Sequence, residues 1–363
     1  MTISNSQYSS GISGKGALVS EAKAILREID QGHDSDAVRR MVIEDDLLGR
    51  RTLGSREAIW DKLHLRYISN RTPKSLTTLA RMVTHCPSET AADLVLFYEF
   101  CQVNPLLYDL TADCTYELYH NARTSIDKVD IEQWLSAQDS EHPEIGNWSP
   151  QTRGKVISSY LSIIRDFGLV TGIRQKVFRK MYVPAEAFLY ALYHQKDRGL
   201  GGKAIIQSRD WRLFLMTEDD VVFLLEEAAR DGFVRFRHAG DIYDLGFSYP
   251  NLHEVVDAIV NCIKNPRAAG QTYFVSDGED VSTPELIRRI SSALARPVRL
   301  FPFPPILLKI SGIITGKSVV IDRLLRSLTI DCSKIRRELD WQAPFSMEQG
   351  LRETAKWYQK KED

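Results

Sequence analysis

Apolar residues recur at three- and four-residue spacing through much of the first 150 positions, a period that predicts amphipathic helices. Leu18, Ala22, Ile25, Leu26 and Ile29 form the first such stripe, with Glu21, Lys23, Arg27 and Glu28 set among them. Similar stripes predict helices within Arg56 to Ile68, Leu76 to Thr84, Thr90 to Val103 and Asp113 to Arg123. From Asp127 to Asn147 the pattern fades. Asp127, Asp130, Glu132, Asp139, Glu141 and Glu144 stand there among few large apolar residues, and the run DSEHPEIGNW, with its Pro and Gly, reads as a linker. Residues 1–147 are therefore expected to form an N-terminal helical domain.

A second domain, 148–249, opens on Ser149 and Pro150, a suitable N-cap and first-turn pair. Val156, Tyr160, Ile163, Ile164 and Phe167 then form a helical stripe that stops at Gly168. After the turn at Gly172, the stretch VFRKMYV from Val177 to Val183 has strand composition and ends at Pro184. Helix, tight turn and short hairpin in succession is the layout of a winged helix-turn-helix. A helix at Ala185 to His194, a Gly-rich loop at Gly199 to Gly202, a helix at Glu218 to Asp231 and a hairpin of Val234 to Arg237 with Ile242 to Phe247 complete this domain. Residues 250–363 change character and alternate: helix at His253 to Asn265, strand at Thr272 to Val275, helix at Thr283 to Leu294, strand at Val298 to Phe301. The expected fold is mainly α, helical domains with winged helix-turn-helix elements followed by a partial α/β C-terminal segment.

Charge does not decide the partner at the level of the whole chain. Lys plus Arg number 47 against 48 Asp plus Glu in 363 residues, so only local clustering bears on nucleic acid. The five cysteines, Cys86, Cys101, Cys114, Cys262 and Cys332, are odd in number and form no C-x-x-C pair, which suits a reducing, cytoplasmic setting. The polar start, Met1 to Ser10, lacks a signal-peptide layout. Phe301 to Thr315 is the one membrane-like stretch, but it is short, carries three prolines and Lys309, and falls below the roughly 20 apolar residues a span needs. No membrane association is expected. The histidines show no metal-ligand spacing, and His85 beside Cys86 lacks a second pair. GISGKG at Gly11 to Gly16 follows no strand and fits no nucleotide-loop pattern, so it reads as a flexible turn and no cofactor is expected. Glu44, Asp45 and Asp46 are adjacent and suit a cap or a surface.

Clustering does occur in the second domain. From Arg153 to Arg212 the cations are Arg153, Lys155, Arg165, Arg174, Lys176, Arg179, Lys180, Lys196, Arg198, Lys203, Arg209 and Arg212, against the anions Asp166, Glu186, Asp197 and Asp210. Phosphate binding draws on such an excess, because each neutralised phosphate releases condensed counterions. On a winged helix, Arg153 and Lys155 would sit near the major groove and Arg174, Lys176, Arg179 and Lys180 along the wing. A solvated basic face, neutralised by acids elsewhere in the fold, is the competing explanation. It is stronger still for Arg50, Arg51, Arg56, Lys62, Arg66, Arg71 and Lys74, where Glu57 and Asp61 are interspersed.

Several short runs carry a resemblance. Tyr8-Ser-Ser-Gly-Ile-Ser ahead of Ala17-Leu-Val-Ser-Glu21, Asp45-Asp-Leu-Leu-Gly49, Trp148-Ser-Pro-Gln-Thr-Arg153-Gly-Lys155 and Asp166-Phe-Gly-Leu-Val170 make the first 245 or so residues resemble BrxA, a component of BREX bacteriophage-exclusion systems. The resemblance implies a helical protein with winged-helix-like parts that binds double-stranded DNA beside other BREX subunits, which supply methylation and ATPase functions. The last 110 or so residues resemble the C-terminal part of extended short-chain dehydrogenases such as nucleotide-sugar epimerases. That likeness rests on Asn251-Leu-His-Glu-Val-Val-Asp257-Ala-Ile, Gly270-Gln-Thr-Tyr-Phe-Val-Ser-Asp-Gly278, Asp331-Cys-Ser-Lys334-Ile-Arg-Arg-Glu-Leu-Asp-Trp341 and Gly350-Leu-Arg-Glu-Thr-Ala. It implies a cation for nucleotide-sugar phosphates at Arg323. The family's Rossmann half and its Tyr-x-x-x-Lys pair have no counterpart in this sequence, so the expectation is a non-catalytic DNA-binding protein. The alternative is a nucleotide-sugar-binding or epimerase-related protein acting through the C-terminal segment. The join near Pro250 reads as a fusion or an assembly artefact.

Overall fold

The computed structural model describes residues 7–14, 16–239, 242–265, 268, 271, 279, 281–294, 332–339, 341–342, 346–352 and 355. The fold is mainly α. In chain order the helices are α1 (Val19–Asp30), α2 (Ser35–Ile43), α3 (Leu53–Tyr67), α4 (Pro73–His85), α5 (Glu89–Val103), α6 (Pro105–Asp109) and, after a π-helical turn at Leu110–Thr115, α7 (Tyr116–His120). Then follow β1 (Ser125–Ile126), α8 (Lys128–Gln138), α9 (Pro143–Gly146), α10 (Pro150–Asp166), β2 (Val170–Thr171), β3 (Lys176–Phe178) and α11 (Ala185–Asp197). The rest are α12 (Lys203–Ile206), a 3-10 turn at Arg209–Phe214, α13 (Glu218–Arg230), β4 (Val234–Ala239), β5 (Ile242–Phe247), α14 (Leu252–Lys264), α15 (Thr283–Ala293) and α16 (Ser333–Leu339).

Two compact units divide the chain, Met1–Lys264 and Asn265–Asp363. In the first, α5 and α11 are the central pair. α5 buries every side chain from Leu94 to Cys101, as expected of a helix apolar on all faces, and α11 buries Ala187 to Tyr193. Around them, α1 shows the predicted single stripe, with Ala22, Ile25, Leu26 and Ile29 buried against α4. Each of α3, α4, α5 and α10 starts at a Ser or Thr whose hydroxyl accepts an amide of the first turn, so their beginnings were legible as caps.

Three expectations change in the structure. The acidic stretch from Asp127, where the helical pattern fades, holds helix α8, whose Asp127 and Asp130 form a reciprocal capping box; α8 packs with α10, and the run read as a linker carries the short α9 within the same unit. α14, assigned by sequence to the C-terminal segment, packs on α4 and α11 in the first unit. It buries Leu252, Val255, Val256 and Ile259, and Arg81 meets Asp257 at 2.5 Å. The first unit therefore runs past Pro250 to Lys264. The GISGKG stretch also starts as a docked turn, with Ile12 fully buried and the Gly14 amide donating to Ser159 Oγ at 3.0 Å. In the second unit, α15 appears where sequence places it. The expected strands at 272–275 and 298–301, the 301–315 stretch and Arg323 lie outside the described residues.

A polar network runs through the core of the first unit. Asp210 is buried and accepts the hydroxyls of Tyr98 (2.8 Å) and Tyr108 (2.7 Å), while Arg198 approaches it at 3.2 Å. Because the Tyr98 proton is committed to Asp210, the contact of 3.0 Å to His194 Nδ1 has the imidazole donating. Burial holds His194 below the ordinary histidine value, against the pull of Glu99. A depressed histidine is protonated first in the unfolded chain, so stability declines as pH falls through the unfolded value of 6.5. Thermal melts between about pH 8 and pH 5 are expected to show this loss, and His194→Gln should flatten it.

Candidate nucleic-acid interface

The site is built by three short strands and two helices. β1, β3 and β2 form an antiparallel sheet in that order, with Ser125 opposite Val177, Ile126 opposite Lys176, Val170 opposite Phe178 and Thr171 opposite Val177. α8 and α10 lie between β1 and β2 in the chain, and the β2–β3 turn spans residues 172–175. Gly172 permits that turn: its φ is +93°, and a Cβ there would stand 2.2 Å from the Gln175 carbonyl oxygen. The strand expected over 177–183 ends at Phe178, beyond which Arg179 bonds back to the Leu169 carbonyl at 3.3 Å.

The six sequence-selected cations divide into two groups. Lys155, Arg174, Arg179 and Lys180 are exposed, and among the described residues none of them makes an ion pair. Arg153 is different. Its side chain is 15% exposed and held against α8 by Glu132 at 2.6 Å, Asp139 at 3.6 Å and the Ser136 hydroxyl at 2.8 Å. The acids that neutralise it come from the acidic stretch after Asp127, where no helix was expected, so the pairing was not visible in the sequence. Lys176 is also withdrawn. It is 7% exposed and donates to the Ile173 carbonyl, and burial together with nearby Arg165 holds its ammonium below the ordinary lysine value. Its place is inside the β2–β3 turn, which it braces.

Much of the remaining basic excess is neutralised internally. Arg165 pairs with Asp166, Arg209 with Asp109 and Asp113, and Arg212 lies over the Tyr116 ring at 4.7 Å. The earlier basic group is likewise structural: Arg56 meets Asp46, Arg66 donates to the Gly16 and Ala17 carbonyls, and Arg71 pairs with Glu99. What stays open is a cleft of about 490 Å³ between α10 and the β2–β3 turn. Lys128, Ser158, Ser162, Arg165 and Arg174 line it, together with Val129 and Ile173. Asp127 also borders the cleft, but its carboxylate caps α8 by accepting the amides of Val129 and Asp130. Lys128, Ser158 and Ser162 were missed from sequence. The signal was available in Asp127-x-x-Asp130, a cap signature that marks a helix starting at Lys128.

With this geometry in hand, the family model BrxA matches residues 6–194. The chain belongs to the BrxA family. The match covers α1 to most of α11, and so all of the sheet, α8 and α10. Two curated relatives are similar to part of this BrxA-family chain: a UDP-glucose 4-epimerase of Vibrio cholerae, 40% identical over 108 residues, and a dTDP-glucose 4,6-dehydratase of Haemophilus influenzae, 60% identical over 30 residues. Those stretches are 30% and 8% of this chain. The chain spans only 33% of the epimerase and 9% of the dehydratase. A crystal structure of an uncharacterized protein from Magnetospirillum magneticum is similar over 58% of this chain and all of its own length, at 17% identity and a TM-score of 0.46. Among the described residues, no group of three or more His, Cys, Asp or Glu is placed to hold a metal ion, and no helix is long and apolar enough to cross a membrane.

Proposed function

We propose that this BrxA-family chain is a non-catalytic, cytoplasmic accessory protein of a BREX phage-defence system that binds double-stranded DNA through a winged helix-turn-helix formed by residues 125–180. One observation carries the reading. The sheet order β1–β3–β2, with α8 and α10 between β1 and β2, sets an exposed helix face beside a hairpin whose stretch from Phe167 to Ala185 holds no acidic residue. α10 is the groove-facing helix, offering Lys155, Ser158 and Ser162, and the hairpin brings Arg174, Arg179 and Lys180 to the flanking phosphates. With Arg153 withdrawn, the helix keeps few long side chains for bidentate base contacts, so binding is weakly sequence-selective. Affinity of the full chain for a short duplex is expected to fall linearly with the logarithm of salt concentration. Salt-independent affinity, or none at low salt, would count against it. The 40% match to an epimerase supports a second reading, nucleotide-sugar binding through the C-terminal unit. Calorimetry of the full chain with UDP-sugars and NAD distinguishes the two, since the first reading expects no heat with either.

A further inference from the structure

Resting on the DNA-binding reading, we propose that Ile173 is an apolar wedge, which the wing tip inserts into the minor groove so that the bound duplex bends. Ile173 is 83% exposed, well above most large apolar side chains on the surface. A lone exposed isoleucine is ordinary. Its surroundings are not, because the tip is fixed in three ways. The Gly172 conformation closes the turn, Lys176 reaches from inside to donate to the carbonyl of Ile173 itself, and Thr171 pairs with Val177 directly behind. A braced backbone therefore holds one bare apolar side chain out at the end of the hairpin.

Chemistry around the tip selects the partner. Arg174 stands next to Ile173, Arg179 and Lys180 follow, and no Asp or Glu occurs between Asp166 and Glu186. Across the cleft, Val129 is 60% exposed beside Lys128, a second pairing of apolar and cationic side chains. The matching surface is anionic outside and apolar within. Duplex DNA has this profile, with phosphates flanking stacked bases that an inserted Ile can part, bending the helix by about 20–90°. An anionic lipid surface shares the profile. DNA is favoured because Ser158 and Ser162 on α10 line the same cleft: the Ser158 hydroxyl suits a phosphate oxygen or groove edge, while that of Ser162, which donates to the Ser158 carbonyl, can still accept from a base amine.

The test uses the full chain and a mixed-sequence duplex of about 100 bp, shorter than the roughly 150 bp persistence length, so that ligase closes it poorly unless a protein bends it. Wild-type protein should raise the yield of minicircles by about tenfold or more. At protein concentrations that saturate the duplex in a gel shift, Ile173→Ala should lose the circularisation, and Ile173→Leu should restore it. Minicircle yield unchanged in Ile173→Ala, or wild-type binding without any rise in minicircles, overturns the wedge and leaves DNA binding intact. Absence of wild-type binding in the parallel gel shift overturns both. Ile173-dependent flotation with phosphatidylserine-containing vesicles, without circularisation, overturns the proposal in favour of a lipid surface.

Discussion

Arg71→Met is expected to destabilise the protein by about 3–5 kcal/mol, the usual consequence of removing one partner from a buried ion pair. For a unit of this size that lowers the melting temperature by on the order of 10 °C. Glu99 is fully enclosed in the middle of α5, where its carboxylate meets Arg71 and accepts the Tyr190 hydroxyl at 2.6 Å. Burial, the largest single influence, would raise this carboxyl, but the Arg71 guanidinium, His194 and the Tyr190 hydroxyl together outweigh it and hold the group below the ordinary glutamate value. Without Arg71, the choice is a buried unpaired charge or a proton taken up at neutral pH, and either is unfavourable. The combined variant Arg71→Met with Glu99→Leu should recover much of the loss, because no charge is left stranded. Differential scanning calorimetry of the wild-type, single and double forms checks the order. A double variant less stable than Arg71→Met would show that the pair itself, and not the orphaned carboxylate, dominates.

The second large effect concerns binding. Replacing Arg174, Arg179 and Lys180 together by Ala should weaken duplex affinity on the order of 100-fold at about 0.1 M salt, and flatten the dependence of log K on log salt by about 2–3. The three side chains are exposed and make no ion pair among the described residues, so the fold loses little when they go. Arg153→Ala makes the contrast. It removes a cation clamped on α8 by Glu132 and Asp139, so it should lower stability while changing the salt slope by much less than one unit. Fluorescence anisotropy over a salt series measures both slopes. A slope change from Arg153→Ala about a third of that from the triple variant, in proportion to the charges removed, would mean that the basic face acts only through its overall charge.

Sequence made several long helices legible, but not the nine-residue α2, whose buried face is only Val38 and Val42. The Ala22, Ile25, Leu26 and Ile29 stripe and the Ser149-Pro150 start of α10 appear in the structure as read. α8 escaped because its apolar residues are few, Ile131 and Leu135 being buried, and its acidic cap resembles a solvated linker when spacing is ignored. β1 was not legible either: it pairs with β3 across some 50 residues, and no local pattern announces a two-residue strand. Among the site residues, exposure could not be told from composition. Lys176 and Arg179 are three apart in one basic run, yet Lys176 opposes Ile126 in the sheet and turns inward, while Arg179 lies beyond the last paired residue and faces solvent. Arg153 and Lys155 are separated in the same way by the helical period, with α8 carboxylates waiting on one side only.

The central claim is that α10 and the β2–β3 hairpin form one DNA-facing surface, and site-specific photo-cross-linking tests it most directly. A benzophenone side chain would be carried in turn at positions 155, 174 and 226, the last on α13 among the carboxylates Glu226 and Glu227. With radiolabelled duplex and the full chain, adducts are expected from 155 and 174 and not from 226. Adducts from 226 alone, or equal yields from all three positions, would contradict the assignment.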